Sequence, residues 1–158
     1  MQDIIFRRAE TSDLPAIIAL IAGDQLGPVR DEPSQPLDQR YLAAFEEIAA
    51  DPNQYLAVIE DRARGRIVGC MQITFIPGLS RFGMWRAQIE VVRIARERRG
   101  EGLGRRALEW ATGLCRNRRC GLVQLTTDRR RDGARAIYEK RGFTASHRGM
   151  KLTLQPMD

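Results

Sequence analysis

Gly100, Gly102 and Gly104 alternate along one short stretch, with Arg98, Arg99, Arg105 and Arg106 around them. This stretch follows an apolar run holding Ile89, Val91, Val92 and Ile94, and it opens directly onto a helical pattern. Glycines let the backbone come close to a ligand and turn its N–H groups inward, while the positive end of a helix dipole favours a phosphate. The chemistry these residues offer is the holding of a pyrophosphate.

Two nucleotide folds can be weighed against that site. Gly102-Leu103-Gly104-Arg105-Arg106-Ala107 satisfies G-x-G-x-x-G/A, and Asp128 lies about 20 residues further on, as a dinucleotide site requires. Yet the chain ends at residue 158, which leaves too little for the rest of a doubly wound sheet, and the elements before the motif are hairpin-like. A triphosphate P-loop needs Gly-Lys-[Ser/Thr], and neither Lys140 nor Lys151 follows a glycine.

A second segment changes the balance. Arg99, Gly102 and Gly104 form an R-x-x-G-x-G signature after an apolar strand, and Ala134-Arg135-Ala136-Ile137-Tyr138-Glu139-Lys140-Arg141-Gly142-Phe143 follows later. Together the two resemble the acetyl-CoA motif and the A-x-x-[F]-Y-E-K-x-G-F segment of the GNAT superfamily of N-acetyltransferases. The resemblance runs over nearly all of the 158 residues, starting with Ile4-Ile5-Phe6-Arg7-Arg8 and the helix pattern after it.

The resemblance implies a set of roles. Acetyl-CoA, the acetyl donor, would lie where the strand around Val92–Ile94 splays from the strand around Leu122–Thr127. Main-chain groups of Val92 and Ile94 would bind the pantetheine arm and thioester, with the Ile94 amide facing the developing oxyanion. Amides and side chains of Arg99, Gly100, Gly102, Leu103, Gly104 and Arg105 would hold the pyrophosphate, with Arg106, Arg129 and Arg130 near the 3′-phosphate. Tyr138 would protonate the departing thiolate, and Glu90 would take the proton of the attacking amine through water. Tyr138 can also be read as a core aromatic, and Glu90 as a carboxylate paired with Arg86 or Arg93. Asp128, at a strand end, is a further candidate base. Many relatives carry Asn where this chain has Arg131, so one customary side-chain contact to the cofactor is missing.

The elements that must position these residues can be read from periodicity. Strands are expected at 4–8, 55–59, 66–75, 85–95 and 122–127, helices at 13–22, 39–50, 102–116 and 132–141, and a last strand or hairpin at 143–154. Thr11-Ser12-Asp13 reads as the first helix cap, and 23–36, rich in turn residues, as a loop over the site. The expected fold class is α/β with an α+β-like mixed sheet: one domain, 1–158, with a mostly antiparallel sheet that splays near 89–95 and 121–127 and is flanked by helices.

Composition narrows the remaining classes. Cys70, Cys115 and Cys120 form neither a disulfide framework nor a C-x-x-C pair, so no metal is expected, and the single His147 has no elbow serine to serve. No apolar run reaches the ~20 residues a bilayer needs, and the N-terminus lacks a signal-peptide layout, so a cytoplasmic protein without membrane attachment is expected. Residues 1–92 hold 9 Arg against 13 acids, whereas 93–148 hold 15 Arg and 1 Lys against 6 acids. The basic half suits an anionic cofactor, and Asp24, Asp31 and Glu32 hint at a cationic acceptor. The leading expectation is direct acetyl transfer to a primary amine of a small molecule or peptide. The alternatives are a non-catalytic acyl-CoA sensor and a nucleic-acid-binding module. The second lacks interleaved aromatics, so no nucleic acid is expected as partner. Relatives commonly pair through their C-terminal strand, which admits a homodimer.

Overall fold

The computed structural model describes residues 3–23, 31–128 and 130–154, with the backbone alone at Asp132. Five strands, β1(Ile4–Arg8), β2(Gln54–Asp61), β3(Arg66–Ile76), β4(Arg86–Ile94) and β5(Leu122–Leu125), lie in the order in which the chain makes them. The first four pair antiparallel, and β5 joins β4 in parallel. The parallel step needs a crossover, and α4(Leu103–Asn117) supplies it.

Strand alternation explains the two cores. Along β2, Ala57 and Ile59 face α4, and Leu56 and Val58 face the opposite side, where α1(Leu14–Ala22) and α2(Gln39–Ala50) pack. Leu103, Ala107, Leu108, Ala111 and Cys115 recur at helical spacing on α4 and are all buried against the sheet. Leu103 and Leu108 each contribute on the order of 1.5–3 kcal/mol, and the alanine methyls about 0.8 kcal/mol each. Burial on both faces is why β2 and β3 read as near-continuous apolar runs.

Element boundaries differ from expectation by a few residues. The start of the first helix differs in kind. A 3-10 turn, Thr11–Asp13, precedes α1, and the Asp13 carboxylate accepts the Glu10 amide (2.8 Å) and two bonds from Arg7 (2.7 and 3.0 Å). The cap is therefore built by Glu10 and Asp13, with Arg7 bonded in turn to Glu60 (2.6 Å). A short turn, α3(Ser80–Gly83), left-handed at Arg81 and Phe82 (φ 54° and 59°), lies between β3 and β4.

The last expected strand is absent among the described residues. After α5(Asp132–Glu139) the chain continues to 154 without pairing to the sheet. The period-2 pattern of Met150, Leu152 and Leu154 is that of a strand, but a strand needs a neighbour, and these side chains remain exposed.

Candidate functional site

The site begins where two strands stop pairing. The parallel ladder runs from Arg86↔Leu122 to Ile89↔Leu125 and ends, while β4 continues to Ile94. From Glu90 onward β4 is bonded to β3 on one side only. The Ala95 amide donates to the Val68 carbonyl of β3 (2.8 Å), so across a planar trans peptide the Ile94 carbonyl points the other way, into the gap. Strand alternation turns the Ile94 amide and the main chain of Val92 to the same side. The expected splay is present, and it leaves the main-chain edge of β4 open.

A bulge sets this aim. Register shifts between Cys70 and Gln72 opposite β4, and Val91 sits at φ 56°, a left-handed value rare for a β-branched residue. Ile89, Val92 and Ile94 face the α4 side, whereas Val91 packs with the α1 side. Nothing in the sequence announced this, because valine is an ordinary strand residue. On β3, Gly69 lets β4 pass closely: a Cβ there would lie 2.8 Å from the Arg93 carbonyl oxygen and 2.7 Å from Ile59.

The glycine stretch then turns into α4. Gly100 and Gly102 have φ 83° and 76°, conformations that favour glycine, and a Cβ at either would meet open space. Gly102 is the residue before the first turn of α4 and brings no side-chain cap. The first N–H groups of the helix, at Leu103, Gly104 and Arg105, have no acceptor within the helix and form the positive end of its dipole. Gly104 lies against Ile94, its Cβ position 4.0 Å from that side chain, which brings helix start and strand end together. Leu103 is buried by its side chain, so only its main chain is available to a ligand; Arg105 is exposed.

Arginines anchor the loop. Arg99 donates from Nε to the Ile94 carbonyl (3.3 Å). Arg98, only 8% exposed, forms a buried ion pair with Asp61 at the end of β2, and its Nε donates to Glu101 (2.8 Å). Burial pushes the Asp61 carboxyl up, but the Arg98 guanidinium and the Arg64 amide outweigh it and hold the group below the usual carboxylate range. A cavity of about 190 Å³ lies beside this pair. The Asp61–Arg98 link escaped sequence reading because its partners are far apart in the chain. The Arg106 guanidinium lies over the Phe6 ring, 5.8 Å from its centroid.

Tyr138, on α5, packs partly buried against the α4-side core, edge-on to Phe143 with centroids 6.0 Å apart. Burial raises its phenol pKa, and the cations of Arg93 and Arg131 pull against that rise. The core-aromatic and acid readings therefore coexist, since the ring is packed while the hydroxyl stays protonated near cationic groups. Arg93 also donates to the Val92 carbonyl (2.9 Å) at the open edge of β4. Glu90 is exposed on β4 opposite Gln72 and forms no ion pair with Arg86 or Arg93. Asp128 is held by Arg130, with bonds of 2.8 and 3.0 Å from its side chain and 2.9 Å from its amide. These keep the Asp128 carboxyl well below its ordinary value.

The remaining expected contributors divide. Asp31 accepts from the Tyr41 hydroxyl (3.0 Å), and Glu32 is exposed. Asp24 and Arg129 lie outside the described residues. His147 is exposed and bonded to Ser146 (2.8 Å). A second cavity, about 310 Å³, opens between the end of α1 (Ala16, Ala19, Leu20) and Ile94 to Arg99. No helix among the described residues is long and apolar enough to cross a membrane.

The family model for the Acetyltransferase (GNAT) family matches residues 18–143, which include the open strand edge, the glycine loop and α5. The chain belongs to this family. As a GNAT acetyltransferase it is 30% identical over 152 residues to a protein named glucosamine 6-phosphate N-acetyltransferase from Trypanosoma brucei brucei, covering 96% of this chain and 97% of that one. Among solved structures it is similar to a protein named a transcriptional regulator from Bacillus halodurans C-125, with TM-score 0.91 and 40% identity over 96% of this chain and 99% of the other. It is also similar to an acetyltransferase from Trypanosoma brucei, with TM-score 0.78 and 28% identity over 96% and 100% of the two chains. The five-strand sheet flanked by helices matches the fold of these GNAT neighbours.

Proposed function

We propose that this GNAT protein transfers the acetyl group of acetyl-CoA directly to a primary amine. The observation that carries the reading is the main-chain edge of β4, open beyond Ile89 and continuous with a left-handed glycine turn at a helix start. The pantetheine arm pairs along Val92 and Ile94 in the manner of an added strand. The pyrophosphate rests on the amides of the glycine loop, with Arg99 and Arg105 beside it.

In the ternary complex the amine first loses a proton, which Glu90 accepts through water. The neutral nitrogen attacks the thioester carbonyl carbon, and the C–N bond forms. Negative charge gathers on the carbonyl oxygen opposite the Ile94 amide, a fixed donor of a kind typically worth about 2.7–4 kcal/mol. The C–S bond breaks, the Tyr138 phenol gives its proton to the departing thiolate, and the extra proton left on the new amide nitrogen passes through water to the phenolate. Burial raises the phenol pKa, so the group enters the step protonated.

The acceptor is an amine of a small molecule or a peptide, and the named relative makes glucosamine 6-phosphate the first one to test. Cytoplasmic placement, where acetyl-CoA and such amines meet, belongs to the same proposal.

A thermal-shift series with acetyl-CoA, CoA and NAD comes first. Ligand at 100 times its Kd adds about 2.7 kcal/mol, a rise of several degrees for a domain of this size. Stabilisation by both CoA species and not by NAD is expected. Release of free CoA thiol is then followed with glucosamine 6-phosphate, glucosamine, polyamines and a basic peptide. Absence of any shift, or CoA binding with no turnover across the panel, defeats the proposal.

A further inference from the structure

The far end of α4 closes with a turn that brings two thiols together. The Cys120 amide donates to the Cys115 carbonyl (3.0 Å), and the Arg119 amide donates to the Arg116 carbonyl (2.9 Å). Arg119 sits at φ 57°, a left-handed value, directly after the capping residue Arg118. Two such bonds around one left-handed residue make a Schellman ending, in which the side chain three places before the cap meets the one two places after it. Apolar side chains frequently fill those two places. Here both are cysteines, Cys115 and Cys120.

Packing agrees with the backbone. Cys115 belongs to the α4-side core, and Cys120 packs partly buried against that same core. Burial pushes the Cys115 thiol up to about 11, and the neighbouring Cys120 adds to the rise. A disulfide spans Cα atoms about 4.4–6.8 Å apart, the class of separation that a direct backbone bond between two residues enforces. Cys70 lies on the opposite face of the sheet, in the core shared with α1 and α2, so no third thiol stands beside the pair. Access divides the two: Cys115 is 1% exposed, whereas Cys120 is half-buried at the surface end of the turn.

We infer that Cys115 and Cys120 form a reversible disulfide at the end of α4, made by exchange with a small-molecule disulfide that enters at Cys120. Cys120 gives up its proton and attacks one sulfur of the reagent. A mixed disulfide forms on Cys120, the reagent's own S–S bond breaks, and its first half leaves as a thiolate that takes up a proton. Cys115, which no reagent can reach directly, then loses its proton and attacks the Cys120 sulfur. The protein S–S bond forms and the second half leaves as a thiol. Two protein thiols are oxidised and one disulfide is reduced to two thiols, with no other reactant. The second step is slow because the attacking thiol is buried and its thiolate scarce. Such a bond is of the transient, redox-responsive kind and not a structural framework.

Its place in the fold gives it a lever. The next amide, of Gly121, donates to the Trp85 carbonyl (2.9 Å), and β5 starts at Leu122. The disulfide therefore fastens the crossover helix to the turn that delivers the strand across the gap from β4. The glycine loop opens the same helix about 22 Å away, so the amides offered to the cofactor are left alone.

Peptide mapping of the native chain tests the pair. The fully reduced protein, freed of reductant, is held with glutathione disulfide for hours, since uncatalysed disulfide rearrangement takes minutes to hours. Remaining thiols are then blocked with a maleimide in acid, and the chain is cut with trypsin. Cleavage after Arg116, Arg118 and Arg119 separates the two cysteines, so a bond between them joins two peptides into one mass that splits on reduction. That linked mass is expected, with Cys70 carrying the maleimide. In Cys115→Ala the reaction is expected to stop at glutathione on Cys120, and an unmodified Cys120 there overturns the entry step. In the native chain, a glutathione adduct that persists on Cys120 beside a blocked Cys115 overturns the inference. So does a bond between two chains through Cys120, or a linked mass that forms only once urea is added.

Discussion

Arg98 and Asp61 are 37 residues apart in the chain and meet as a buried ion pair, joining the turn before the glycine loop to the end of β2. Glu101, inside the loop, is bonded to the same guanidinium at 2.8 Å. The loop is thus held from its own side and from the sheet. Removing one partner of a buried pair leaves the other charged and unsatisfied, which costs more than the pair itself contributes.

Asp61→Asn is therefore expected to lower CoA affinity about tenfold to a hundredfold, because small displacements of a positioned backbone are costly. Turnover at saturating acetyl-CoA should fall much less. Calorimetric titration with CoA beside steady-state rates separates the two. Equal losses in both would mean that Asp61 does more than steady the loop.

The same pair predicts an acid limb. The folded pKa of Asp61 is below its unfolded value, and so is that of Asp13 beside Arg7. Their stabilisation is present above the ordinary Asp value of about 3.9 and is lost as pH falls through the folded values. Denaturant midpoints followed from pH 6 down to about pH 3 should decline, and should decline less steeply in Asp61→Asn.

Tyr138→Phe keeps the packed ring and removes the proton. Loss of a general acid typically costs about 10²–10⁴ in turnover. The fold and acetyl-CoA binding should survive, since the contacts with the core and Phe143 are made by the ring. With the phenol pKa raised by burial, the alkaline limb of the native rate profile should lie above the ordinary value of about 10. A variant with native turnover would remove Tyr138 from the mechanism.

Two glycines should behave oppositely when changed to alanine. At Gly69 the new Cβ would meet the Arg93 carbonyl at 2.8 Å, so overpacking of about 1–3 kcal/mol is expected, together with weaker CoA binding through the displaced end of β4. Gly113 lies within α4 with open space at its Cβ, and alanine there should stabilise by about 0.8–1 kcal/mol. Urea unfolding of both variants checks the pair.

The cysteines should be slow to react. Burial pushes Cys70 up to about 12 and Cys115 up to about 11, and Cys120 is raised too. Thiolate is the reactive form, so a disulfide reagent at neutral pH should reach the half-buried Cys120 first and titrate buried Cys70 and Cys115 quickly only after denaturation. Fast labelling of the native protein would show an opening of the core that the packing does not predict.

Much of this site was legible because its signals are local. Gly100, Gly102 and Gly104 mark positive φ and a helix start within a few residues, and the α4 stripe from Leu103 to Cys115 obeys its period. The unreadable parts are non-local or unmarked. Val91 adopts a left-handed bulge that a β-branched residue never advertises, and Asp61 finds Arg98 only once β2 and β4 are folded. The alternation of Met150, Leu152 and Leu154 predicts a last strand, yet these residues are exposed and pair with no described strand, because periodicity along one segment carries no information about a neighbour.

The open edge of β4 presents peptide groups, and every amino acid except proline supplies the same ones. A scan that exchanges side chains for alanine along Val92, Arg93 and Ile94 would therefore leave the proposed donor at Ile94 untouched. Only a change to the peptide itself, such as an ester in place of the amide, would reveal it. For the same reason the sequence of this segment is free to drift while its chemistry stays constant, so distant relatives can share the reaction while sharing few letters where it happens.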